Sequence, residues 1–150
     1  MIRRRAVLGF VLGLAACGRT GDDSSRSDLY PNETPQMRRR IEHYADYYDV
    51  PVSLVQRVIL RESDHNAKAR NGRYYGLMQI DHRTARTMGY RGHDDGLLDV
   101  DTNLKYGVKY LRGAWLVSDG DQDAAVGWYA RGYYYEAKRK GLLEETGLRS

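Results

Sequence analysis

Glu62 is the side chain whose position points most directly to chemistry. Residues 52–60 include Val52, Leu54, Val55, Val58, Ile59 and Leu60. That run is apolar around most of a helix and should be buried. Glu62 follows Val58 by four residues and Ile59 by three, which puts it on the apolar side. A carboxylate is seldom buried without a partner or a task. Burial and the negative end of the helix dipole both favour its neutral form, the form a general acid needs near neutral pH. The same position also suits a Glu that turns to solvent, or one paired with Arg57 or Arg61.

Other groupings are weaker. Ordinary glycoside hydrolysis sets two carboxylates across the bond. Asp64 would point elsewhere if the helix continued, so Asp81 is the better second acid. Glu62 and His65 have the Glu-x-x-His spacing of di-iron bundles, but the sequence has no second copy of it. Asp119, Asp121 and Asp123 resemble the start of a calcium loop, yet Ala124 stands where glycine is needed and Ala130 where the closing Glu belongs. They read as a helix N-cap cluster. His43, His65, His82 and His93 have no metal spacing and read as solvated. No metal and no cofactor are expected. Tyr133, Tyr134 and Tyr135 divide between lining a groove and packing.

The elements that position these residues are mainly helical. Met37, Ile41, Tyr44, Ala45 and Tyr48 recur at helical spacing, which predicts an amphipathic helix over 36–48, opened by Thr34-Pro35. Pro51 opens the helix that ends at Arg61-Glu62-Ser63. Residues 64–76 and 89–99 read as loops around a short helix over 84–88. Asp101-Thr102-Asn103 supplies N-cap candidates for a helix with Leu104, Gly107, Val108, Leu111 and Trp115 on one face. A last long helix is predicted over 122–138. No strand and no internal repeat stands out.

Composition bounds the partners. The 150 residues carry a net charge of +4. Arg3, Arg4 and Arg5 fall in the first sixteen residues, which hold no acid; the rest has 21 basic against 20 acidic residues. No nucleic acid is expected. There is one cysteine, so an intrachain disulfide and a multi-cysteine zinc site are excluded. The opening MIRRRAVLGFVLGLAAC has a basic start and an apolar run from Ala6 to Ala16, of signal-peptide length and too short to span a bilayer. Leu14-Ala15-Ala16-Cys17 resembles the bacterial lipobox. That implies a signal peptide over 1–16, a lipid anchor at Cys17 and a polar tether over 17–35. Gly18 fits the periplasmic face of the outer membrane. Arg4-Arg5 loosely resembles a twin-arginine signal, and the export route stays open.

Three motifs occur in order: Glu62-Ser63 at the end of the buried helix, Gly76-Leu77-Met78-Gln79 after a loop, and Tyr129 within AAVGWYARG. Over residues 36–141 the chain resembles the soluble lytic transglycosylase domain. The resemblance implies an all-α, lysozyme-like domain over 36–150, peptidoglycan as substrate and no metal. By the same resemblance Glu62 is the acid and base that forms a 1,6-anhydro ring, while Ser63, Asn71, Met78, Gln79 and Tyr129 meet the substrate or orient the acid. A monomer is expected. The family's Ala-Tyr-Asn-Ala-Gly run departs here to Trp128-Tyr129-Ala130-Arg131-Gly132, so Ala130 replaces an asparagine. Two alternatives stay open: a lysozyme-type hydrolase in which Asp81 or another acid holds water, and a glycan-binding lipoprotein without activity.

Overall fold

Residues 28–149 of the chain are described by a computed structural model. Helix α1 runs Pro35–Tyr47, with the Thr34 side chain accepting from Met37 N and Pro35 at the first turn, where a missing N–H costs nothing. It buries Met37, Ile41 and Ala45. Helix α2, Val52–Glu62, buries Leu54, Val55, Val58 and Ile59. Both pack on the longest helix, α4, Val100–Val117, or on its neighbours. Helix α5, Gln122–Arg131, and helix α6, Tyr134–Lys140, also pack on α4, and α5 meets α2. Leu104, Val108, Leu111 and Ala114 of α4 are fully buried at the centre. The fold is mainly α.

The segment between α2 and α4 differs from the two loops expected there. Strands β1 Arg70–Asn71, β2 Tyr74–Tyr75 and β3 Ile80–Asp81 form an antiparallel sheet in that order, with Asn71 opposite Tyr74 and Tyr75 opposite Ile80. Two-residue strands are too short for alternation to show. Helix α3 spans His82–Thr87 and starts earlier than expected, because the Asp81 side chain caps it through Arg83 N. A 3-10 turn follows at Asp94–Leu98. Tyr75, Ile80, Ala85, Tyr90 and Leu97 form a second, smaller core beneath the sheet.

Four further expectations are corrected. The cap of α4 is Asp99, two residues before the predicted cluster, and its carboxylate accepts from both Thr102 N and Thr102 Oγ1. The single helix expected over 122–138 is two, broken at Gly132 with φ +87°. Tyr133 then turns into the core and donates to the Tyr110 carbonyl at 2.7 Å. His65 is buried, not solvated. Of the predicted tether, residues 17–27 lie outside the described residues, Cys17 among them, and so does the predicted signal peptide over 1–16. Residues 30–33 are packed on the domain: Glu33 is buried and bonded to Arg38 and Gln56. Among the described residues no helix is long and apolar enough to cross a membrane.

Candidate active site

Glu62 closes α2 and faces a cavity of about 420 Å³, bordered by Arg61, Asn71, Tyr74, Gln79, Tyr129 and Ala130. Its side chain is 23% exposed, and Arg61 Nε stands 3.8 Å from Oε1, beyond hydrogen-bond reach. Among the described residues no hydrogen bond reaches the carboxylate. Arg57 is committed to Asp123 on α5. Burial therefore prevails over the Arg61 charge and raises the Glu62 pKa above its ordinary value. Burial thus shifts Glu62 towards its neutral form, and Arg61 stands too far away to donate to it.

The cavity continues into a second lobe of about 190 Å³ that shares Tyr74, Gln79, Tyr129 and Ala130 and extends over Asp81, Thr84 and Tyr110. Together the lobes make a groove between the small sheet and α5. Gln79 sits at their junction with φ +46°, a sparsely populated conformation for a side-chain-bearing residue. Its Nε2 donates to the carbonyls of Ala69 and Gly76 at 3.1 and 3.0 Å. Both partners are acceptors, so the amide nitrogen faces the backbone and the oxygen is left for the groove.

The predicted site residues do not all face this groove. Asn71 does. Ser63 borders neither lobe; its Oγ donates to the Leu77 carbonyl at 2.6 Å and ties the end of α2 to the Gly-Leu-Met-Gln turn. Met78 is fully buried, and its contribution runs through its backbone. Tyr129 borders both lobes, but its hydroxyl is spent on the Met78 carbonyl at 2.8 Å. Burial, then the nearby Glu62, hold its pKa far above the ordinary value, so it stays a neutral donor. Its ring meets Tyr110 edge-on at 5.4 Å, and burial and Asp81 push Tyr110 up to about 12. Asp81 lies in the second lobe with both oxygens engaged, one by Arg83 N at 2.9 Å and one by Arg73 Nε at 2.8 Å. The Glu62–His65 spacing builds no metal site, because the His65 ring turns to Gln56.

Asn103 is the positioning residue that sequence reading passes over. Its Oδ1 accepts from Met78 N at 2.9 Å, and its Nδ2 donates to the carbonyls of Tyr75 and Leu97, each at 2.7 Å. One buried amide thus joins α4, the site turn and the 3-10 segment. Its signal was present: Asn103, Gly107 and Leu111 form one helical stripe, and an asparagine in such a stripe must find buried partners. Tyr74 carries no comparable signal.

The mainly α, lysozyme-like fold sets a groove over a half-buried glutamate at a helix end. Residues 39–144 match the transglycosylase SLT domain, and the chain belongs to that family. It is 30% identical over 124 residues to the membrane-bound lytic murein transglycosylase F of Shewanella woodyi. The match covers 78% of this chain and 25% of that relative, so the chain spans about a quarter of the relative's length. No solved structure matches the chain.

Proposed function

We propose that the protein is a peptidoglycan lytic transglycosylase that cleaves the MurNAc-β-1,4-GlcNAc bond without water and leaves 1,6-anhydro-MurNAc ends. The observation that carries the proposal is the half-buried Glu62 carboxyl, which borders the groove with a raised pKa and no hydrogen-bond partner among the described residues. Glu62 gives its proton to the glycosidic oxygen as the C1–O bond breaks, and the GlcNAc side leaves as an alcohol. The N-acetyl carbonyl of the same MurNAc stabilises the cation at C1. The Glu62 carboxylate then takes the C6 hydroxyl proton as O6 bonds to C1. The acid is regenerated and no water is consumed. Gln79 offers its amide oxygen to the sugar, and Asn71 and Tyr74 border the same lobe. Ser63, Asn103, Met78 and Tyr129 hold the wall in place.

A hydrolase needs a second carboxylate to hold water. Asp81 is the nearest provision for one, and its two oxygens are committed to a helix cap and to Arg73. That favours the anhydro route. Family membership and the relative's name support a place in the cell envelope. We place the domain on a lipid anchor at Cys17, on the periplasmic face of the outer membrane. Mass spectrometry of muropeptides after digestion of purified peptidoglycan tests the reaction. Anhydro ends are expected. Reducing ends would make it a hydrolase, and no products would leave only glycan binding.

A further inference from the structure

The chain that precedes α1 folds back onto the end of α2, where it meets Gln56, Asp64 and His65. Glu33 is buried with its side chain fully covered. Arg38 donates to both of its oxygens at 2.7 and 2.6 Å, Tyr30 N donates at 3.1 Å, and Gln56 Nε2 donates at 2.7 Å. This last bond fixes the Gln56 amide, because only its nitrogen can serve a carboxylate. Gln56 Oε1 is then an acceptor, and His65 Nε2, 2.7 Å away, must be the donor. His65 Nδ1 is buried without a partner. As a bare lone pair it is tolerable there; as an N–H it would be an orphaned donor. The ring is therefore neutral, as its lowered pKa, caused chiefly by burial, also indicates. The Tyr30 ring stacks on His65 at 5.1 Å and 18°. Asn32 Nδ2 donates to the carbonyl and carboxylate of Asp64, each at 3.1 Å.

These contacts converge on a costly stretch of backbone. Asp64 and His65 lie at φ +50° and +60°, in the left-handed region that side chains disfavour. They directly follow Glu62 and Ser63, and Asp64 N still bonds Ile59 O at 3.0 Å. Such a conformation persists only where its surroundings over-determine it. Ser63 fixes the helix end at the groove turn, and residues 30–33 fix it through Gln56, Asp64 and His65. We propose that residues 30–33 are a latch on the end of α2, and that Tyr30, Asn32, Glu33, Gln56 and His65 are positioning residues that hold Glu62 at its depth in the groove.

The proposal rests on Glu62 being the acid, so its test has a readout besides activity. Tyr30 and Asn32 are exposed, and the double variant Tyr30→Ala/Asn32→Ala opens the latch without emptying the core. In the full chain, kcat for muropeptide release should fall roughly tenfold to a hundredfold, the range a small misplacement of a catalytic group produces. KM should stay within about twofold, as expected when an interaction acts only on the chemical step. The Glu62 carboxyl, followed by carbon NMR against pH, should titrate lower than in the wild type, because the helix end loosens towards water. Glu33→Gln, which keeps the shape and removes the charge that orders Arg38 and Gln56, should move the midpoint the same way. An unchanged Glu62 midpoint in the folded double variant overturns the latch. If the wild type releases no muropeptides, the catalytic reading fails, while the midpoint shift still decides the latch.

Discussion

At the scale of single residues, the site turns on what each polar atom is already bonded to. Glu62 has no hydrogen-bond partner among the described residues, so no bond within the domain competes with a substrate for its carboxyl. Glu62→Gln keeps the volume and removes acid and base together. General acid–base catalysis contributes roughly 10²–10⁴-fold, and muropeptide release should fall by at least that factor. The melting temperature should hold or rise at neutral pH, because an amide relieves the burden of a half-buried charge. Retained activity in a folded variant would dismiss Glu62 as the acid. The wild-type rate should decline as pH climbs through the Glu62 pKa, which lies above 4.5. Tyr129 presents the opposite case, since its hydroxyl serves the Met78 carbonyl and not the sugar. Tyr129→Phe leaves that carbonyl buried and unpaired, at a cost of about 1–3 kcal/mol. Both the melting temperature and kcat should drop, because the turn that carries Gln79 loses an attachment. A lower kcat at an unchanged melting temperature would return the hydroxyl to the substrate.

At the scale of elements, the sequence was legible wherever the determining contacts are local. The stripe Met37, Ile41, Ala45 and the apolar run to Ile59 announce α1 and α2, and with them the depth of Glu62. Lost were the features made by distant partners. The break at Gly132 follows from Tyr133 docking on α4, which no local period records. Asp99 and Asp101 are both competent caps, and only Thr102 chooses between them by bonding back to Asp99. The motif draws Ser63 and Met78 to the site, but a motif does not say whether a residue faces the sugar or braces the wall. The site turn itself depends on Gly76. Its φ is +72°, and a Cβ there would meet the Asn103 amide and come within 2.6 Å of the Leu97 carbonyl oxygen. Gly76→Ala should destabilise the domain by at least about 1–3 kcal/mol, read as a lower melting temperature, with activity lost in the fraction that stays folded. A neutral substitution would show that the turn can be rebuilt without the Asn103 junction.

At the scale of the whole molecule, acid acts on the latch and on the Glu62 carboxyl in opposite senses. His65 and Glu33 both titrate below their ordinary values of 6.5 and 4.5, so the unfolded chain binds more protons than the native one. Their stabilisation is full above those ordinary values and is lost as pH falls through the lower native ones. Glu62, raised, contributes stability below 4.5 that is lost as pH rises through its native value. Glu33, Asp64 and Arg38 are the charges that bear on His65. Thermal melts from pH 7 down to pH 4 should show stability declining once the pH passes below about 6.5, and His65→Gln should flatten the first part of that decline; an identical decline in the variant would assign it elsewhere. The anchor is tested on the same scale. Cys17→Ser should release the protein from membranes or block its processing, and unchanged fractionation with unchanged mass would remove the anchor from the proposal.

The clasp between Tyr129 and Met78 joins positions 51 residues apart, and Asn103 reaches Met78 across 25. The acid comes early in the chain, and the wall that faces it comes late. For any chain delivered N-terminus first through a narrow pore, Glu62 emerges well before α5. During that interval the polypeptide holds the carboxyl and the sheet side of the groove, without the wall that Tyr129 and Ala130 supply. A proteolytic stub that ends before Tyr129 would be equally harmless. A chain with the proposed activity is thus unarmed until its last helices dock, and the order of its elements serves as a safety catch.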